Sequence, residues 1–274
     1  MREPLAGIVI PVFQKRYIKQ AISVIFATTR QTEIAVCVVN DGQPSLRPEL
    51  EELKRPGLVS VIQLDRNRGF AGANNAGWRH LLKEHPSLKY LGTINDDTVP
   101  REAWLDNMVR SLEAHPQTAL AMPVMEQKAN WWSPRKYYAT WQFAGVPGTM
   151  VPDRSAIEED TFVPAVNGFC FVARAEALRQ VDYFDERYKN SCEDLDIGLK
   201  LITSGWRLVV CKCSVVFHYA GRSRGSREAN TDCRFSRDLL SQKWGRDRTI
   251  YNRLDRDGFW ESGGRGIAGK GSPV

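Results

Sequence analysis

An apolar run, Tyr90-Leu91-Gly92-Thr93-Ile94, stops abruptly at Asn95-Asp96-Asp97, with Thr98-Val99-Pro100 behind it. Carboxylates at the carboxyl end of a buried strand stand where open α/β sheets bind their ligands. Two of them side by side repel each other and resist desolvation, which a divalent cation shared with phosphate oxygens would relieve. The plainer alternative is an Asp pair that ends a strand and caps a helix starting at Pro100-Arg101-Glu102. A second acidic run, Glu193-Asp194-Leu195-Asp196, opens a segment with apolar residues Ile197, Leu199, Leu201 and Ile202. Acids in a first helical turn are favoured by the helix dipole, so part of that run is ordinary capping. His218 closes a short apolar run, a position where a histidine is either hydrogen-bonded or a metal ligand.

These groups need a frame. Gly7 to Phe13, Ile34 to Val39, Leu58 to Leu64 and the run from Tyr90 read as buried strands, each ended by a loop signal. Between them the spacing predicts helices from Tyr17 to Ile25, Glu49 to Arg55 and Ala73 to Lys83, and then from Arg101 to Ala114. Continuous strands alternating with helices argue for a mainly parallel sheet covered on both faces, an α/β chain. Three of the four strand ends carry Asn or Asp, namely Asn40-Asp41-Gly42, Asp65-Arg66-Asn67 and Asn95-Asp96-Asp97, all on one edge of such a sheet. From Met125 to Val163 the pattern breaks into a loop-like stretch with Trp131, Trp132, Tyr137, Tyr138, Trp141 and Phe143. That stretch is either a platform for sugar faces or apolar acceptors, or an insertion packed on its own domain. Regularity returns with a strand near Asn167 to Ala173, a helix from Ala175 to Val181, the acidic helix, and short strands at Leu208 to Val210 and Val215 to His218. One more helix is suggested by Phe235, Leu239, Leu240 and Trp244, before a Gly-rich end from Gly263.

With 274 residues, 42% hydrophobic and 26% charged, the chain can bury a substantial core. No apolar run approaches the roughly 20 residues of a membrane span, and Met1 to Gly7 lead straight into a strand without a signal-peptide pattern. A cytoplasmic protein is therefore expected. Its six cysteines are scattered, with only Cys211 and Cys213 close, a spacing that is not a usual zinc pattern; buried free thiols are expected. The net charge of +6 sits in the C-terminal part, where Arg222 to Val274 hold 12 Lys/Arg against 7 Asp/Glu. This excess suits an anionic ligand or peripheral contact with a membrane, or is a solvated tail. Arg alternates with Asp there and no recognised motif appears, so nucleic acid is not an expected partner.

In order, Pro11-Val12-Phe13, Asn40-Asp41-Gly42, the run Asn67-Arg68-Gly69-Phe70-Ala71-Gly72-Ala73-Asn74-Asn75-Ala76-Gly77, Asn95-Asp96-Asp97, Gly168, Phe184-Asp185-Glu186, Glu193-Asp194-Leu195-Asp196 and His218 form a series. The series resembles glycosyltransferase family 2, over roughly residues 7 to 225, and in style its rhamnosyltransferase-like branch. The resemblance implies a GT-A fold, a Rossmann-like sheet flanked by helices, spanning about residues 1–229, with a nucleotide-binding half to about 125 and an acceptor half beyond. Residues 230–274 would be a C-terminal helix and a basic, Gly-rich tail. It further implies inverting, metal-dependent transfer from a nucleotide-diphosphate sugar to a glycan, lipid-linked or peptide acceptor.

By the same resemblance Pro11 and Phe13 line the nucleobase pocket, and Asp41 either bonds the base or caps its own turn. Gly69 and Asn75 belong to the run whose backbone approaches the nucleotide. Asp97 binds Mn²⁺ or Mg²⁺, Asp96 contacts the ribose or the ion's water shell, and His218 matches a position that can complete the metal site. Asp194 is the implied general base, with Glu193 second, and Asp196 a cap or acceptor contact. Asn95 stands where an Asp is usual and Asn74 where many members carry Arg, so a positive charge for the pyrophosphate would come from Arg68, Arg222 or Arg224. Two rivals remain at this level. A nucleotidyltransferase would show a Gly-rich basic loop after the first strand, and Pro11 to Arg16 has no Gly; a binding module without turnover is suggested by Asn40, Asn74 and Asn95.

Overall fold

A computed structural model describes residues 3–13, 18–128, 134–138, 150–151, 157–163, 165, 167–188, 191–219 and 227–245. Trp131, Trp132, Trp141, Phe143, Arg222, Arg224 and the Gly-rich end lie outside them.

The first half alternates as its apolar runs dictate. β1 (Ala6–Val12), β2 (Ile34–Asn40), β3 (Val59–Gln63) and β4 (Tyr90–Ile94) pair in parallel in the order β3-β2-β1-β4. α1 (Ile18–Thr28), the short α2 (Arg47–Glu51) and α3 (Gly69–Glu84) are the connections. Successive residues face opposite layers. Val9, Cys37, Val39 and Leu91 pack with Trp78 and Leu81 of α3, while Ile8, Ile10, Val36 and Val38 pack with Ile18, Ile22 and Ile25 of α1.

The second half continues the sheet with mixed directions. β5 (Thr98–Pro100), α4 (Trp104–Ala114), β6 (Thr118–Gln127), β7 (Lys136–Tyr138), β8 (Met150–Val151), β9 (Thr161–Phe162), β10 (Cys170–Arg174), α5 (Ala175–Gln180), α6 (Glu193–Thr203), β11 (Arg207–His218) and α7 (Arg227–Trp244) follow in order. The sheet path runs on as β4-β10-β6-β11-β5. β10 is antiparallel to both β4 and β6, and β11 is parallel to β6. The all-parallel pairing expected from the sequence thus holds in the first half, while in the second only β6 and β11 keep it among the path strands; the α/β layering holds throughout. α4 covers the α1 face through Trp104, Met108 and Leu112. α5 and α6 cover the α3 face, and Leu240 and Trp244 of α7 pack on that layer too.

Several expectations are corrected. Pro100 does not start a helix. It ends β5, paired antiparallel with Val216 at the sheet margin, where a proline's missing N–H is tolerated; α4 begins at Trp104 after Ala103 in a left-handed turn (φ 56°). β6, ten residues long and buried through nine of them, lies in a span the sequence pattern left partly unassigned and partly read as loop. Pro123 sits inside it, opposite the irregularity of β11 between Cys211 and Val215 that absorbs the lost ladder bond. The two short strands at Leu208 and Val215 are one twelve-residue strand across that irregularity. α3 starts at Gly69, four residues before the expected Ala73, so the glycine run after Arg68 is itself helical. A Cβ at Gly77 would lie 2.6 Å from Val9 Cγ2, so this glycine lets α3 lie close on β1, and packing outweighs weak helix propensity.

Candidate active site

Topology gathers the chemistry on one sheet edge. β1, β2 and β4 run parallel, so Phe13, Asp41 and Asn95–Asp97 emerge on the same side. β10 is antiparallel to β4 with Cys170 opposite Ile94, so its preceding residues, Gly168 and Phe169, enter from that same edge. β11 ends there with His218 opposite Thr98.

The carboxylate turn is held by backbone. Asn95 N–H donates to Phe169 O at 2.9 Å, Thr98 Oγ1 donates to Asn95 O at 2.7 Å, and Tyr219 N–H donates to Asp97 O at 3.1 Å. His218 Nε2 lies 3.3 Å from Asp97 Oδ1, each side chain 14% exposed. The imidazole stacks on Phe169 with ring centroids 5.1 Å apart, and its buried Nδ1 has no hydrogen-bond partner among the described residues. Burial, with the charge of Asp97 adding to it, pushes the Asp96 carboxyl up to about 7. A desolvated carboxyl pair against an imidazole with an orphaned nitrogen fits a divalent cation. Among the described residues no group of three or more His, Cys, Asp or Glu could encircle an ion. Asp97 and His218 could supply two ligands of such an ion, with phosphate oxygens and water as the others.

The acidic helix is tied to the same edge. Cys192 precedes α6 in a left-handed conformation (φ 67°), which turns the chain into the helix. Gly168 N–H donates to Asp194 Oδ2 at 2.9 Å and Leu195 N–H to Oδ1 at 2.9 Å. Asp194, in the first turn of α6, thus takes the amide of the next helical residue and one strand-entry amide from outside the helix. Glu193 beside it is buried. A continuous line of contacts runs from Asp194 through Gly168 and Phe169 to His218 and Asp97.

Other expected residues are held differently. Asp41, 5% exposed, accepts the N–H groups of Arg68 at 2.6 Å and Gly69 at 3.0 Å, one on each oxygen, so it anchors the start of α3. Burial pushes its pKa up in spite of those two bonds. Pro11 is in β1, and Phe13 after it is 45% exposed at the edge. Asn75 is fully buried: its Nδ2 donates to Phe184 O at 2.9 Å and Glu186 Oε1 at 3.0 Å, while its Oδ1 accepts from Phe184 N–H at 3.1 Å. Its contacts therefore lock α3 to the Phe184–Glu186 turn rather than facing the sheet edge. Arg68, a candidate for the pyrophosphate charge, is ion-paired with Glu186. Asp196 is an internal anchor, with Lys243 Nζ 2.8 Å from its Oδ1 and Trp244 Nε1 donating to the same oxygen at 2.7 Å. No local pattern announces that anchor, since Lys243 and Trp244 lie more than forty positions away.

Residues 7–181 match the family described as glycosyl transferase family 2. Among curated proteins the chain is 24% identical over 233 residues to the O-antigen biosynthesis protein RfbC of Myxococcus xanthus, covering 81% of this chain and 18% of that protein. It is 37% identical over 65 residues to the N-acetylglucosaminyl-diphospho-decaprenol L-rhamnosyltransferase of Mycobacterium tuberculosis, covering 24% of this chain and 21% of that one. The chain thus spans about a fifth of the length of these relatives. Among solved structures, GalNAc-T7 with UDP, GalNAc and Mn²⁺ superposes with a TM-score of 0.67 at 14% identity, over 95% of this chain and 56% of that one. The shared architecture is the GT-A fold.

Proposed function

The chain belongs to glycosyl transferase family 2, and from that premise we propose an inverting, metal-dependent transfer of a sugar from a nucleotide-diphosphate donor to an acceptor hydroxyl. The observation that carries this reading is the line of contacts joining Asp194 to Asp97 through Gly168, Phe169 and His218. It supports reading Asp194 as the base and Asp97 with His218 as the metal pair of one site at one sheet edge.

In this reading Asp97 and His218, with Asp96 beside them, hold Mn²⁺ or Mg²⁺, which supplies charge neutralisation for the departing diphosphate. Mn²⁺ and UDP in the GalNAc-T7 structure support that choice of ligands. Phe13 and Pro11 flank the nucleobase, and Asp41 and Gly69 shape the loop over which the nucleoside lies. Asp194 accepts the proton of the acceptor hydroxyl. The acceptor oxygen bonds the anomeric carbon from the face opposite the leaving group, the carbon–oxygen bond to the diphosphate breaks, and a nucleoside diphosphate leaves. Glu193 is the second candidate base. The short match to a rhamnosyltransferase acting on a diphospho-decaprenol intermediate supports a deoxyhexose donor and a lipid-linked acceptor within polysaccharide biosynthesis. Among the described residues no helix is long and apolar enough to cross a membrane, so a peripheral contact through the basic C-terminal region is the proposed route to such an acceptor.

The test is thermal stabilisation of the full chain by a panel of nucleotide sugars and nucleoside diphosphates with and without Mn²⁺, since a bound ligand stabilises by mass action. Stabilisation by one donor class, stronger with Mn²⁺, is expected. Failure of every nucleoside diphosphate under all metal conditions would sink the proposal.

A further inference from the structure

Glu126 is the one charged residue of β6. Its side chain is 2% exposed, near the end of β6. Arg101, just past β5, places Nε at 3.0 Å and Nη2 at 2.9 Å from Oε2 of this carboxylate. Arg135, just before β7, brings Nε to 2.9 Å from Oε1, in ion-pair contact but off hydrogen-bond alignment. The two arginine side chains are 41% and 51% exposed. Arg101 also lies over the Phe217 ring, 6.0 Å from its centroid, and that ring meets Tyr219 edge-on.

A buried carboxylate is a poor stabiliser in itself, because an apolar residue of similar volume avoids its desolvation. What Glu126 does gain is orientation. It holds two arginines, one at each carboxylate oxygen, while both side chains stay partly exposed. A guanidinium has five donors, and Glu126 engages at most two on either one. The group carries a net charge of +1, and exposed Lys128 and Lys136 flank it on the same β6–β7 pair, where Gln127 faces Lys136. Paired guanidiniums with outward forks match phosphate oxygens.

We propose that Arg101 and Arg135, braced by Glu126, form a clamp for a phosphate or diphosphate group carried by the acceptor. The assignment to the acceptor rests on the transferase reading above. Its support is position: Glu126 lies opposite Phe217 on the β6-β11-β5 side of the sheet, the Phe217 ring meets Tyr219, and Tyr219 N–H donates to Asp97 O. Phe13 and Asp41 stand at β1 and β2, on the other side of β4 and β10. An acceptor bearing a phosphate there would approach the Asp97–His218 pair from the side opposite the nucleoside.

The test uses the full chain and inorganic pyrophosphate without divalent cation, which keeps the probe from the metal-dependent donor site. Calorimetry should detect binding. Arg135→Gln should weaken it about tenfold or more. The pair Arg101→Gln with Glu126→Gln, which leaves no lone buried charge, should do the same. Affinity of both variants for the nucleoside diphosphate in Mn²⁺ should stay at the wild-type value. No binding by the wild type, or equal binding by the variants, overturns the clamp. A parallel fall in nucleoside diphosphate affinity reassigns it to the donor's own diphosphate and overturns the acceptor role. Capture by phosphatidylglycerol vesicles that Arg135→Gln abolishes and pyrophosphate does not displace would make it a lipid-headgroup contact, also against the proposal. If pyrophosphate binds as expected while no nucleoside diphosphate binds at all, the clamp stands and the transferase reading fails.

Discussion

The backbone N–H of Gly168 donates to Asp194 Oδ2 at 2.9 Å, so the first turn of α6 is pinned to the point where β10 enters the sheet. The next residue, Phe169, accepts the N–H of Asn95 and stacks on His218. One dipeptide therefore touches both the acidic helix and the carboxylate turn. A side chain held at two oxygens by fixed amides is pre-organised, and pre-organisation is where positioned acid–base groups gain their effect.

Asp194→Asn keeps the size of the side chain and removes its basicity. Transfer should fall by about a hundredfold or more, with nucleoside diphosphate affinity unchanged. Steady-state rates beside calorimetry on the same samples check both. Wild-type turnover in the variant would refute the base assignment.

Asn95 offers a neutral amide beside two carboxylates. Asn95→Asp should tighten apparent Mn²⁺ affinity, and His218→Ala should weaken it by about tenfold or more. Metal titrations followed by thermal shift give both numbers. An unchanged affinity in Asn95→Asp would mean that the first position does not face the ion.

Lys243 and Trp244 close the C-terminal helix onto Asp196, which is completely buried two residues beyond Asp194. Lys243→Ala leaves that carboxylate with fewer partners and should destabilise the fold by about 1–3 kcal/mol. Lys243→Arg should recover most of it. Chemical denaturation measures the difference, and equal midpoints for Lys243→Ala and wild type would show that the helix does not rely on this pair.

Asp106 on α4 accepts the N–H groups of Arg30 at 2.7 Å, Gln31 at 3.0 Å and Thr32 at 2.7 Å, and the Thr32 hydroxyl at 2.7 Å. Burial alone would raise its pKa, but these donors together hold it below the usual carboxylate value. A depressed folded pKa contributes stability that is fully present above the unfolded pKa and is lost as pH falls through the folded one. Asp106→Asn should therefore be less stable than wild type at about pH 6, and the gap should shrink below about pH 4. Melting curves across that range decide it; a gap that persists in acid would contradict the assignment.

Local pattern determined much of this protein. The apolar runs of β1 to β4 and the periodicity of α1 and α4 follow from alternation of burial along the chain, which neighbouring residues report by themselves. Parallel strands that end in Asp or Asn were enough to bring Asp41 and Asp97 to one edge. Tertiary structure decided what those side chains touch. The pairing of His218 with Asp97, the Gly168–Asp194 bond, the lock of Asn75 on Phe184, and the grip of Glu126 on Arg101 join residues 121, 26, 109 and 25 positions apart. Strand order sets those meetings, and no window of sequence contains it. For the same reason β6 and Pro100 went unread as strands: their partners on β11 lie about ninety or more positions later in the chain, and it is those partners that make an extended backbone with a proline the stable choice.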